Sequence, residues 1–354
     1  MFVLFVSCQK EGYNFEFSGE NVNKYQEKTA LEFSRTLEID IDSLFSVNFI
    51  HSIVPFRDNG KRYFGILHQR DIYIYEEGNG KPEKKISIDE EGPNGVKSIE
   101  SFDGISIRSL DTFHLVTNTN GLLYTIDGDG AVIEKTAAPV DPARSDTYDY
   151  GFIRARLIRD QLLIPTYGFN NTKDFTNLPT RFIYDYKEKD FKPAFNYPSI
   201  FNDFYWGYNT LLRHSSCDYN PSKKEYYVSY SIDPHVYIYD EKYNLKRKKI
   251  LGSTYFSSIF PQDEDANRRF QNEGSATPGN DEYFMALSYF TGGYFHTARN
   301  YYLRITRIGL DKEKGQGVKF SIIIADEDLN KVGEYMIPSH YLLESFFLDR
   351  KSVV

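Results

Sequence analysis

Two stretches of this 354-residue chain concentrate the side chains best suited to holding a ligand. The first, Tyr150-Gly151-Phe152-Ile153-Arg154-Ala155-Arg156, sets two arginines two residues apart. That spacing puts both on one face of a strand. The second, Tyr205-Trp206-Gly207-Tyr208 followed by Arg213 and His214, joins the only tryptophan to hydrogen-bond donors. Tyr294, His296 and Arg299 form a looser third group. Arginine recognises carboxylates through a planar two-pronged fork, and aromatic rings offer flat faces to sugars. The candidate ligand-binding residues are therefore Tyr150, Arg154, Arg156, Trp206, Tyr208, Arg213 and His214. The same residue types also suit a plainer arrangement, with rings packed between layers and arginines paired to Asp or Glu.

Signs of reactive chemistry are few. The sequence contains no HExxH, CxxC, G-x-x-x-x-G-K-[ST] or G-x-S-x-G motif. Gly80-Lys81 belongs to a hairpin turn, and Asp127-Gly128-Asp129-Gly130 lacks the further spaced carboxylates of a calcium loop. The seven histidines are dispersed, and Cys217, near His214, reads as a buried thiol. Two cysteines cannot build a disulfide framework or a four-ligand zinc site. No catalytic residue, cofactor or metal is expected. A net charge of −8 argues against a nucleic-acid partner, which needs a basic face.

The elements that must position these residues are strands. Tyr and Phe raise the aromatic share to 16%, and both favour pleated, half-buried surfaces. One unit recurs five times: an apolar strand ending in an acidic or charged turn, then a charged returning strand. The copies begin at Ile72-Tyr73-Ile74-Tyr75-Glu76, Leu123-Tyr124-Thr125-Ile126-Asp127, Ile183-Tyr184-Asp185-Tyr186-Lys187, Val236-Tyr237-Ile238-Tyr239-Asp240 and Ile322-Ile323-Ile324-Ala325-Asp326. Further strand sequence precedes each copy, and Glu282 to Tyr289 reads as an additional strand before the fifth. Units of about 50 residues holding four strands are the signature of β-propeller blades. No long segment has helical periodicity, which removes doubly wound and TIM-barrel folds. Five copies, with Thr36 to Asp42 as an unpaired strand, predict six blades. The last blade is incomplete, or the sequence is truncated, because Ser345 to Val354 stops where its strands would continue. The long interval before the fifth copy, mostly Gly252 to Asn280, predicts an extended loop.

The N-terminus carries an address. The apolar run Met1 to Val6 is too short to span a bilayer. No Lys or Arg precedes it, so the expectation is a signal-peptide remnant over 1–7 whose true start lies upstream. Leu4-Phe5-Val6-Ser7-Cys8 resembles the lipobox of bacterial lipoproteins, which would make Cys8 the lipid attachment site. The polar residues 8–28 then read as a flexible tether, and 29–354 as the propeller domain.

Together with the five hairpins and the turn Glu91-Gly92-Pro93-Asn94-Gly95, this pattern resembles the six-bladed β-propeller lipoproteins of Bacteroidetes, a family of unknown function. Relatives often carry a Gly-Pro-Gly-rich turn where this chain has Asn94. The resemblance implies a fold and an outer-membrane address, and no catalytic residues. Asp42-Ser43-Leu44 similarly resembles the O-glycosylation sequon of exported proteins in that group. The leading expectation is a surface-anchored binding module for a glycan, peptide or partner protein. A propeller-fold glycoside hydrolase or lyase and a scaffold subunit of an outer-membrane complex remain as alternatives.

Overall fold

The structure is a computed structural model that describes residues 15–25, 39–40, 50–92, 95–96, 102–117, 122–137, 155–166, 174–206, 210–262, 278–311, 315 and 317–338. Strand β1 is Phe15–Glu16. Blade 1 comprises β2 Ile50–Asp58, β3 Lys61–His68, β4 Asp71–Glu76 and β5 Pro82–Ser87. Blade 2 comprises β6 Phe102–Ser109, β7 Thr112–Thr117, β8 Leu122–Asp127 and β9 Val132–Ala137. Blade 3 holds β10 Arg156–Ile158, β11 Gln161–Pro165, β12 Pro179–Asp185 and β13 Asp190–Asn196. Blade 4 holds β14 Ser215–Asn220, β15 Glu225–Tyr230, β16 His235–Tyr239 and β17 Leu245–Ile250. After the two-residue β18 Ser258–Ile259, blade 5 follows as β19 Tyr289–His296, β20 Tyr301–Ile308, β21 Lys319–Ala325 and β22 Lys331–Ile337. Each sheet is an antiparallel meander in chain order, and the inner strands lie side by side: β2 against β6, β6 against β10, β14 against β19.

The protein is thus an all-β propeller, with five four-stranded blades among the described residues. The residues expected to supply a sixth lie outside that set, except Ile39 and Asp40. Asp40 N donates to Gly80 O at 2.6 Å and Tyr75 Oη to Asp40 O at 3.0 Å, so this pair rests on blade 1.

Burial explains why the hairpins repeat. The third strand of each blade is almost wholly buried, as in β4 and β8, because neighbouring blades cover both of its faces. Such a strand is apolar on consecutive residues instead of alternate ones. The fourth strands Pro82–Ser87 and Leu245–Ile250 are charged and largely exposed. Lysine on an open edge discourages pairing with another chain.

The recurring acid ends the third strand by capping the turn. Asp240 Oδ1 accepts from the amides of Lys242 and Asn244 at 2.8 and 2.9 Å. Asp326 Oδ1 does the same for Asp328 and Asn330 at 3.0 and 2.8 Å. Asp127 Oδ1 takes the amides of Asp129 and Ala131, so its carboxylate serves the hairpin. At Gly130, φ is 92° and a Cβ would collide with Ser87 O of blade 1.

Two readings change. The stretch expected to be a strand, Glu282 to Tyr289, is mostly helix: α1 is Ile200–Asp203 and α2 is Pro278–Ala286. Proline pre-sets φ for a first helical turn, and the acids after it favour a helix N-terminus. Residues 15–25, within the 8–28 segment assigned to a tether, are seated on the blades. β1 pairs with β18, and Phe17 and Val22 are buried in the main core. A buried ion pair completes the seat: Lys331 Nζ reaches Glu334 Oε2 at 2.6 Å and donates to Val22 O at 2.7 Å. A polar composition hid two apolar contacts and a backbone carbonyl that a buried lysine needs.

Candidate functional site

Arg156, Asp218 and Tyr294 occupy equivalent positions on three inner strands. Each stands two residues before the end of its strand, at Ile158, Asn220 and His296. Their cross-strand partners are Leu163, Tyr227 and Leu303. The equivalence brings them to one level, at the end of the inner strands that carries the turns into each second strand.

There Arg156 Nη1 lies 2.7 Å from Asp218 Oδ2 and 3.4 Å from Cys217 O. Its Cζ is 5.1 Å from the centre of the Tyr294 ring. Asp218 is held rigidly: Tyr219 N donates to Oδ1 at 2.9 Å, and Phe295 N to Oδ2 at 2.8 Å. The second of these bonds crosses from β19 to β14 and depends on Gly293. A Cβ there would collide with the Tyr302 hydroxyl and sit 3.0 Å from Ser216 Oγ.

Burial opposes the charge on Arg156, but the attraction of Asp218, then Tyr294, outweighs it and raises the pKa above its ordinary value. The guanidinium is a permanent cation, locked at one nitrogen. Among the described residues Nε and Nη2 make no hydrogen bond, and the side chain keeps 31% of its exposure. Those two nitrogens form the side-on fork that accepts a carboxylate or a pair of hydroxyls.

The other expected site residues are placed differently. Trp206 is buried, donating Nε1–H to Ile200 O at 2.9 Å with Phe204 edge-on at 6.2 Å. Arg213 is buried with its guanidinium 5.6 Å from the Phe175 ring, and it closes a single 3-10 turn, Thr210–Arg213. His214 is buried, and its carbonyl accepts from Ser231 N and Oγ. These three precede β14 instead of lining its end, so the structure does not bring them to Arg156. Their rings and stems pack the core. Tyr150, Arg154, Tyr208, Cys8 and Asp42-Ser43-Leu44 lie outside the described residues. Tyr294, from the looser third group, does join the first. Burial pushes the Cys217 thiol up to about 12, so it is inert.

Asp218 escaped the sequence reading, although an acid between Cys217 and Tyr219 in an otherwise buried strand was the available signal. The same signal marks Arg304, fully buried within Tyr301–Ile308. It donates to Pro234 O and Leu251 O at 2.7 Å each and to Asp233 O at 2.5 Å, stapling blade 5 to blade 4. No three His, Cys, Asp or Glu side chains among the described residues converge as a metal site. No helix among them is long and apolar enough to cross a membrane.

The family model for a domain of unknown function, DUF4221, matches residues 28–336. The chain belongs to this family. A solved DUF4221 member from Bacteroides vulgatus superposes with a TM-score of 0.73 at 18% identity, covering 89% of this chain and 88% of the other. A Bacteroides fragilis protein described as a candidate exported protein gives 0.51 at 12% identity, covering 88% and 78%. At these identities the likeness concerns the fold. No curated protein matches the sequence. For this DUF4221 chain, the expected Bacteroidetes family of unknown function and the propeller architecture are both met.

Proposed function

We propose that this chain is a non-catalytic binding module, lipid-anchored through Cys8 to the outer membrane, that captures a glycan, peptide or partner protein at the propeller end carrying Arg156. One observation carries the reading: among the described residues nothing bonds the Nε–Nη2 edge of Arg156, whose side chain keeps 31% of its exposure, while Asp218 fixes Nη1 of the same guanidinium. A donor fork held in place before the ligand arrives loses little freedom on binding. Tyr294 adds a flat face beside it. The lipobox-like Leu4 to Cys8 supports the anchor, and the candidate exported neighbour from Bacteroides fragilis accords with it.

The test uses whole cells expressing the chain with its full upstream leader, beside cells expressing Cys8→Ala. Both are offered fluorescent polysaccharides and peptides. Retention by wild-type cells, lost together with membrane association in Cys8→Ala cells, is the expected result. New reducing ends from an offered polysaccharide would replace this reading with a hydrolase or lyase. A protein protected from external protease in intact cells would remove the surface placement.

A further inference from the structure

We infer that the propeller lies against the lipid bilayer through the surface formed by Tyr255, Phe260 and Met285, so that the Arg156 end points away from the membrane. The inference rests on the Cys8 anchor and adds an orientation to it. Six residues lie between Cys8 and Phe15, so seven Cα–Cα steps join the two. Fully extended, they span at most about 25 Å. Phe15 itself is fixed, because β1 pairs with β18 in the register Phe15 to Ile259 and Glu16 to Ser258. Phe17 N donates to Ser257 O at 2.7 Å, and the buried Phe17 ring packs on Phe256 and Phe290. A lipid on Cys8 therefore holds this part of the surface within a short tether of the bilayer.

The side chains exposed at that point suit the contact. Tyr255 and Phe260 bracket the strand that pairs with Phe15, and both are exposed. Tyr283, on α2, meets the Phe260 ring at 6.2 Å and donates its hydroxyl to Phe260 O at 3.0 Å. Met285 is exposed on the same helix. Tyr255, Phe260 and Met285 are 44%, 38% and 41% exposed, apolar surface in contact with water gains from a cover, and amphipathic rings such as tyrosine settle readily at a membrane interface. Tethering makes the bilayer the covering surface present at the highest effective concentration.

The two functional ends separate along the inner strand. Leu310 N donates to Met285 O at 2.7 Å and Phe290 N to Ser231 O at 2.9 Å. These bonds place α2 and the loop before it with the turns at the start of β19. Tyr294 lies near the end of that strand, roughly 15–20 Å further along. With one end against lipid, the Arg156 end faces outward.

The experiment places nitroxide labels, one at a time, on Tyr255→Cys, Phe260→Cys, Met285→Cys and, as a distant exposed control, Ile133→Cys. Cys217 is buried and does not label. The lipidated full chain is reconstituted in vesicles of phosphatidylethanolamine and phosphatidylglycerol, and collisions with oxygen and with a water-soluble nickel chelate are compared. The expected result is flotation with the vesicles and a several-fold higher oxygen-to-nickel ratio at 255, 260 and 285 than at 133. Flotation with a label at 260 as wet as at 133 overturns the orientation while leaving the anchor standing. Failure of the wild type to float overturns the anchor, and the orientation with it. Spin–spin broadening at 260 without vesicles would assign the patch to contact between copies of this chain, which also overturns the inference.

Discussion

Arg156 and Asp218 face each other across neighbouring blades from register-equivalent positions, with Nη1 and Oδ2 2.7 Å apart. The pair is asymmetric. Asp218 is enclosed and spends its oxygens on Arg156 and two backbone amides, whereas the Nε–Nη2 edge of Arg156 meets no partner among the described residues. The carboxylate thus acts as the fixed post and the guanidinium as the exposed arm.

Removing the post should therefore cost stability as well as binding. Asp218→Ala leaves a cation and two amides without their acceptor, and breaking a buried pair costs about 3 kcal/mol or more. Urea unfolding should show a lower midpoint by that amount. A change within about 0.5 kcal/mol, the size of an ordinary surface substitution, would mean that Asp218 does not hold Arg156.

Arg304 makes a different demand. Its guanidinium serves three carbonyls of blade 4 at 2.7 Å or closer and also lies 3.4 Å from the centre of the Phe290 ring. Arg304→Met should destabilise by about 3–5 kcal/mol. Arg304→Lys should not rescue it, because a point charge cannot span three acceptors as a planar fork does. Rescue by lysine, read from the same unfolding curves, would refute the staple.

The histidine at the seam of blades 2 and 3 sets a pH dependence. His114 is buried against the Tyr186 ring at 4.8 Å, and burial, helped by Arg108, lowers its pKa to about 4. The folded state thus binds the proton less readily than the unfolded chain does, at about 6.5. This contribution is fully present above pH 6.5, falls as pH drops toward 4, and levels off below that. Its full size is about 3 kcal/mol. His114→Gln should flatten that part of the stability profile. An unchanged slope would show that another group titrates there.

The seat of the N-terminal segment gives a local prediction. Lys331→Met removes the donor to Val22 O and Gly252 O and leaves Glu334 buried with its three hydroxyl donors. Limited proteolysis within 15–25 should then accelerate about tenfold, the equivalent of 1.4 kcal/mol of local stability. Unchanged cleavage would show that β1 and Phe17 alone hold the segment.

What the sequence disclosed follows from range. The hairpins were legible because each is a local pattern: a doubly buried strand, an acid that caps the next turn, a charged edge. Asp240 and Asn244 are four residues apart and declare themselves. Arg156, Asp218 and Tyr294 come from three blades, and no local pattern says which acid an arginine will meet. Trp206 misled because a ring suited to a sugar is equally suited to a core, and only burial decides. The helix Pro278–Ala286 was hidden by aromatics at 283 and 284 that read as strand, although the proline at its start was the better signal.

The most direct test of the central claim is a paired screen. The chain and its Arg156→Lys variant, both confirmed as folded, are applied to the same array of glycans and peptides. Lysine keeps a cation beside Asp218 and deletes the Nε–Nη2 fork. The account predicts array members bound by the wild type and at least about tenfold more weakly by the variant, the loss of roughly one charge-assisted hydrogen bond. Equal binding of the same members by both proteins would contradict it.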